Sequence, residues 1–309
     1  VAKAGKASAQ CTSSGNASGG VRQVTCGTPR DATDGGWALL NAQVAECISS
    51  FLKKFKSQFL PYLDQLMPQI LPLLQPNRAA EERCVAICIF DDIVEHANET
   101  GQAVRYFEHF MPALLGAYKD DNCDVRQAVL YGFGVLAQFG GDPVKPAVPD
   151  LAAKLIEVIT LPESRTGDNE VATDNAVSAL GKVIQYQRSA FDPTAAMSTW
   201  LSYLPVKGDK EEAQIVHEAL VRMVETGDAL LVGASQENLP HVVKIFSQVV
   251  NEELMTDEVK NRVRALMMSM QTNLQPPQVA AIWGALSPEE QAGLQMFMQA
   301  PAASPPPAQ

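Results

Sequence analysis

The sequence predicts an all-α fold, a solenoid of stacked helix pairs, and three observations predict it. First, helical segments echo one another along the chain. VRQAVLYGFGVLAQFGG, from Val125 to Gly141, laid over RCVAICIFDDIVEHA puts Arg126 on Arg83, Phe133 on Phe90 and Leu136 on Ile93, a shift of 43 residues. Laid over TDNAVSALGKVIQY it puts Gly134 on Gly181 and Leu136 on Val183, a shift of 47. A further echo, AQIVHEALVRMV, puts Leu220 on Leu180 and Met223 on Val183, a shift of 40. Second, 46% of the 309 residues are hydrophobic and only 6% aromatic, a balance that suits helix-on-helix packing. Third, prolines fall inside the first helix of a pair, at Pro68 and Pro112, where they kink it. Periods of about 40 to 47 residues built from helix pairs mark an α-solenoid of the HEAT or armadillo type. About five pairs plus two terminal helices are expected.

Residues 1–36 are mostly Ser, Gly, Ala and Thr, too poor in large apolar side chains to offset their ordering entropy, so disorder is expected there. The chain opens on Val, and it reads as a fragment of a longer array. The solenoid is expected over 37–299. Its first helix, Ala38 to Phe55, carries Leu40, Val44, Ile48 and Leu52 at helical spacing and reads as the second half of a truncated repeat. Phe59 to Gln75, with Pro61, Pro68 and Pro72, is a kinked first helix, and Ala79 to Ala97 is its partner. The second pair is Gln102 to Lys119 and Asp124 to Phe139, with the aspartates of Asp120-Asp121-Asn122 capping the second helix. Gly140-Gly141, then Pro143 and Pro146, end it. The third pair is Ala147 to Thr160 and Glu170 to Gln187. The fourth is Pro193 to Leu204 and Lys210 to Glu225, and the fifth is Leu239 to Asn251 and Asp257 to Gln271. Two short helices follow, Pro277 to Ala285 and Pro288 to Met298, the second opened by the cap–Pro–acid signature Ser287-Pro288-Glu289-Glu290. The proline-rich tail 300–309 is expected to be disordered.

Charge and cysteine usage narrow the function. The net charge is −11; residues 1–36 carry +2, so the remainder carries −13. An acidic body argues against direct nucleic-acid binding, which needs clustered Lys and Arg, and favours basic partners. Six cysteines at these spacings are no disulfide framework. Cys47, Cys84, Cys88 and Cys123 fall in helical apolar patterns, as small hydrophobes of a reducing compartment, cytosol or nucleus. The sequons at Asn16 and Asn98 are then chance matches. No run approaches the ~18 apolar residues that a membrane span needs, so no membrane insertion is expected.

Candidate chemistry is sparse. Gly132-Phe-Gly134-Val-Leu-Ala137 matches a dinucleotide fingerprint, but it lies inside a helical pattern, with no strand before it. His217-Glu218 begins like a zincin motif with Val221 at the second histidine position, and a solvated helix face explains it better. Asp91, Asp92, Glu95 and His96 come closest to a site. Asp92 with His96, and Asp91 with Glu95, are i,i+4 pairs that can share a face. A solvated acidic face, an acidic partner-binding stripe, and a metal or acid–base site are the open readings. Asp91, Asp92 and Glu95 are the candidate partner-binding residues. Trp200 and Trp283 read as packing residues or as hot spots for a bound peptide. No catalytic group, cofactor or metal is expected, and the protein is expected not to be an enzyme.

Specific residues carry a resemblance. The segment from Cys88 through Asp91-Asp92 to Glu95-His96 resembles the carboxyl-terminal region of the importin-5 (karyopherin beta-3) family. So do Val125–Ala128 with Tyr131–Asp142, Ala172–Asn175, Ala179–Val183, Trp200–Pro205, Asp209–Ala213, Asn238–Pro240 and Leu286–Gln291. The match is collinear over residues 45–299. It implies a nuclear transport receptor: a long HEAT superhelix that shuttles between cytoplasm and nucleus, carries basic cargo proteins, contacts phenylalanine–glycine nucleoporins, and releases cargo when Ran GTPase in its GTP form binds. The family's Ran-binding repeats and best-understood cargo groove lie outside this stretch, so no functional residue carries over. The alternative is a generic HEAT-repeat scaffold subunit of another protein complex.

Overall fold

The computed structural model describes residues 35–300, with side chains from residue 43 onward. The disorder expected for 1–36 and 300–309 lies outside the described residues, apart from Gly35 and Gly36, which open the first helix, and Ala300. The described backbone is α-helix, 3-10 helix and turn, without a strand. The chain divides into two compact units, residues 1–191 and 192–309.

In the first unit, α1 (Gly35–Phe55), α3 (Ala80–Ala97), α5 (Cys123–Phe139) and α7 (Asn169–Tyr186) pack side by side in chain order. Between them run the shorter first helices, α2 (Leu60–Ile70), α4 (Phe107–Ala117) and α6 (Val148–Ile159). α4 covers α5 and α6 covers α7, the pairing the periodicity predicts. Each second helix buries the apolar residues that recur at the repeat shift: Phe90, Phe133 and Leu136, Val183 are all fully enclosed. The Phe90 ring stacks on Phe110 of α4 with centroids 4.4 Å apart and meets Phe107 edge-on at 5.9 Å. Such pairs add roughly 0.5–1.5 kcal/mol beyond the area they bury.

Two local expectations are corrected. The helix expected over Phe59 to Gln75 is broken into a 3-10 turn Lys56–Phe59, then α2, then a second 3-10 turn Leu71–Leu74. Pro61, Pro68 and Pro72 each lack an amide donor, and the tighter turns take over where the α-helical ladder fails. The cap of α5 is Asn122 rather than an aspartate. Its Oδ1 accepts from the amides of Asp124 at 2.9 Å and Val125 at 3.1 Å. Asp120 is engaged elsewhere, by the Asn122 amide and the Arg83 guanidinium. Gly140-Gly141 ends α5 as expected. A Cβ at Gly140 would meet Val144 Cγ2 at 2.3 Å, and Gly141 has φ +66°.

The second unit contains α8 (Thr194–Ser202), α9 (Lys210–Glu225), the one-turn α10 (Ala229–Val232), α11 (Leu239–Val249), α12 (Asp257–Asn273), α13 (Pro276–Gly284) and α14 (Pro288–Gln299). α9 packs on α12, and α11 packs on α13 and α14. Asp209 caps α9 by accepting from the amides of Glu211 and Glu212, both at 3.1 Å. Ser287 and Glu290 cap α14 reciprocally. The Glu290 amide donates to Ser287 Oγ at 3.2 Å, and the Ser287 amide donates to Glu290 Oε2 at 2.9 Å. α10 lies in the connection between the expected fourth and fifth pairs.

Candidate partner-binding surface

The three acids of α3 do not share one environment. Asp91 is 3% exposed, and its carboxylate oxygens make no hydrogen bond. It points at α5 where Gly132 has no side chain; a Cβ there would lie 2.5 Å from Asp91 Oδ1. Burial, then the nearby charges of Asp92 and Glu95, push its pKa well above the usual carboxylate range, while Lys182 pulls it back. Asp91 is therefore corrected from an exposed acid to an interhelical one. Asp92 and Glu95 are half-buried. Asp92 lies 3.5 Å from His96 Nε2, the i,i+4 contact the spacing predicts.

Glu95 is the end of a chain of contacts across three helices. Tyr131 of α5 donates its hydroxyl to Glu95 Oε2 at 3.2 Å, and the Lys182 ammonium of α7 lies 5.3 Å from the Tyr131 ring centroid. Lys182 reaches that ring across α5 at Gly134. A Cβ on Gly134 would lie 3.1 Å from Lys182 Cδ and 3.2 Å from Ala179 Cα. The Gly-Phe-Gly that mimics a dinucleotide fingerprint is thus the place where charged side chains from α3 and α7 cross α5. It lies wholly inside that helix. Sequence reasoning missed Tyr131 and Lys182. Their signal was the two glycines in the middle of an otherwise well-formed helix, where glycine costs about 1 kcal/mol unless something needs the space.

The other candidates resolve into packing. His217 is 0% exposed, not on a solvated face; its Nδ1 lies 2.9 Å from the Leu254 carbonyl. Burial lowers its pKa to about 4, against the favourable pull of that carbonyl, and the Lys207 charge adds to the lowering. Trp200 is fully buried, and Trp283 is partly so. Cys84 is buried, Cys88 and Cys123 are intermediate, Cys47 is exposed, and none of the four is in a disulfide. Among the described residues no group of three or more His, Cys, Asp or Glu could hold a metal ion. No described helix is long and apolar enough to cross a membrane. A groove of about 400 Å³ lies at the turns before α5 and α7, lined by Tyr118, Asp120, Arg126 and Thr173 among others. Arg126 is bound there to the Asp120 carbonyl and to Asn169.

Helix pairs stacked at a shift of some 40 residues define the class: a HEAT-type α-solenoid. No family model matches the chain. It is 24% identical to a probable importin-5 homolog of Dictyostelium discoideum over 254 residues, 80% of this chain and 23% of the relative. It is 23% identical to importin subunit beta-3 of Saccharomyces cerevisiae over 216 residues, 70% of this chain and 19% of that one. Importin-4 of Mus musculus is 26% identical over half of this chain. Among solved structures, Kap121p bound to RanGTP has a TM-score of 0.67 at 21% identity, covering 84% of this chain and 23% of Kap121p. Kap121p bound to Nup53p has a TM-score of 0.65 at 22% identity, covering 86% of this chain. The chain's relatives are importins of the karyopherin-β family, and it spans less than a quarter of the length of those it matches.

Proposed function

We propose that the chain serves as part of a nuclear transport receptor of the importin-5 kind. In this reading it helps carry basic cargo proteins through the nuclear pore, contacts phenylalanine–glycine nucleoporins and shuttles between cytoplasm and nucleus. The observation that carries the reading is the collinear match to an importin-5 homolog over 80% of the chain. Kap121p, whose fold this chain shares, has been solved bound to RanGTP, to Nup53p and to Ste12p. Ran contact belongs to the whole receptor in this proposal and is assigned to no residue here.

Charge supports the basic-cargo part of this reading. The chain carries −11 overall, and Asp92 and Glu95 present partly exposed carboxylates on α3. Asp91 is buried between α3 and α5, where a partner would not touch it. A pull-down of histones or ribosomal proteins by the full chain tests the reading. Binding should weaken between 50 and 300 mM salt, on the order of tenfold, because exposed charges are screened beyond ~10 Å. It should weaken similarly on Asp92→Lys/Glu95→Lys. Binding that ignores both salt and charge reversal contradicts the acidic stripe.

A further inference from the structure

Lys182 of α7 is 7% exposed, a cation held almost out of water. Lysine is seldom buried this far unless its charge is compensated. Its stem passes α5 at Gly134, where a Cβ would lie 3.1 Å from Lys182 Cδ. Its ammonium ends 5.3 Å from the centroid of the Tyr131 ring. The hydroxyl of that ring donates to Glu95 of α3 at 3.2 Å. The charge of an α7 side chain is thereby delivered next to the carboxylates of α3.

Asp91 shows how near that charge is. Its buried carboxylate oxygens accept no hydrogen bond, and the charges that act on it are Asp92, Glu95 and Lys182, the last opposing the other two. The three acids and the lysine therefore share one electrostatic neighbourhood. Within it Asp92 and Glu95 are half-buried and Lys182 is buried. A cationic side chain arriving from solvent meets the two carboxylates with a fixed positive charge already behind them. Charges in partly buried surroundings act on one another several times more strongly than in bulk water. A buried ammonium is also screened by salt much less than an exposed one. Packing alone needs only the aliphatic stem, and the charged head would then be a cost without a return.

We propose that Lys182 is a specificity-setting residue of the acidic face: a built-in counter-charge, carried across α5 by the gap at Gly134, that holds down the affinity of Asp92 and Glu95 for the lysines and arginines of a partner. The inference rests on the acidic-stripe reading of the proposed function and adds what sets the strength of that stripe. Lys182 itself touches no partner; it acts through Tyr131 and the neighbouring carboxylates.

The test measures fluorescence anisotropy of a fluorescein-labelled peptide of alternating lysine and serine on the full chain, with a glutamate-for-lysine peptide as control. Lys182→Met and Lys182→Gln keep most of the stem and remove the charge. Both should bind the lysine peptide about fivefold more tightly than the native chain, a gain that damage to the packing would not give. Lys182→Arg, which restores the charge, should return the affinity toward the native value. Adding Asp92→Asn/Glu95→Gln to Lys182→Met should abolish the gain. Native binding that Asp92→Lys/Glu95→Lys leaves unchanged sinks the acidic-stripe reading and this proposal with it. Native binding that does depend on those two acids, with no gain in either neutral Lys182 variant, overturns the proposal alone. So does a gain that Lys182→Arg shares, or one that survives loss of the two acids. Loss of helical circular dichroism in both neutral variants would make Lys182 a packing residue, and it too overturns the proposal.

Discussion

Arg126, near the head of α5, holds Asn169, at the head of α7, by a 2.7 Å hydrogen bond from Nη2 to Oδ1 across 43 residues. Its Nη1 donates to the Asp120 carbonyl at 2.6 Å. One repeat earlier Arg83 of α3 makes the same reach to the Asp120 carboxylate, with Nη2–Oδ1 at 3.2 Å. Arg83 and Arg126 are the residues that the sequence echo superposes, so the repeat records a ladder of cross-links between successive pairs. Charge-assisted bonds of this kind contribute about 1.5–3 kcal/mol each when partly buried.

Arg126→Ala should therefore lower the stability of the chain by roughly 1–3 kcal/mol. It should read as a lower urea midpoint at unchanged slope. Asn169→Asp should preserve stability, since a carboxylate accepts from the guanidinium at least as well. An Arg126→Ala midpoint equal to wild type would show that the ladder is decorative.

Gly134 is the close approach of α5 to α7. Gly134→Leu should cost roughly 1–3 kcal/mol by overpacking, because Lys182 and the Ala179 backbone occupy the space. Gly116 is the control: nothing lies within 4 Å of a Cβ there, and Gly116→Ala should be neutral or slightly stabilising. Equal melting temperatures for Gly134→Leu and wild type would contradict the packing.

Asp91 gives a pH signature. Its carboxyl binds its proton more tightly folded than unfolded, so its contribution is present at low pH and is lost as pH rises through the folded value. Asp91→Asn removes the ionisation. The variant should gain stability relative to wild type as pH rises above about 4, the ordinary aspartate value. Parallel pH profiles for the two proteins would place Asp91 in solvent.

His217 gives the opposite sign. Its folded pKa is lowered to about 4, so the folded state resists protonation. The associated stability is fully present above pH ~6.5, the ordinary histidine value, and is lost as pH falls toward the folded value. Between pH 7.5 and pH 5 the loss is on the order of 2 kcal/mol. Comparing wild type with His217→Gln by chemical denaturation isolates it. A His217→Gln protein that loses just as much stability on acidification would refute the assignment.

The helix pairs were legible because each second helix carries its apolar face at 3.6-residue spacing and repeats it some 40 residues later. The breaks in the expected helix 59–75 were not, since prolines mark that a ladder fails without saying where a 3-10 turn replaces it. Asp91 and Asp92 illustrate the limit at the candidate surface. Adjacent acids on one helix differ by about 100° in direction, and only the neighbouring helix decides which is buried. That decision was written 41 residues away, in Gly132. His217 was misplaced for the same reason: its carbonyl partner, Leu254, belongs to another pair.

The proposed role as a piece of a transport receptor can be checked by passing the full chain over immobilised phenylalanine–glycine nucleoporin repeats, with a Phe-to-Ser repeat matrix as control. Saturable retention is expected on the native repeats and none on the substituted ones. Passage of the chain through both matrices without retention would contradict it.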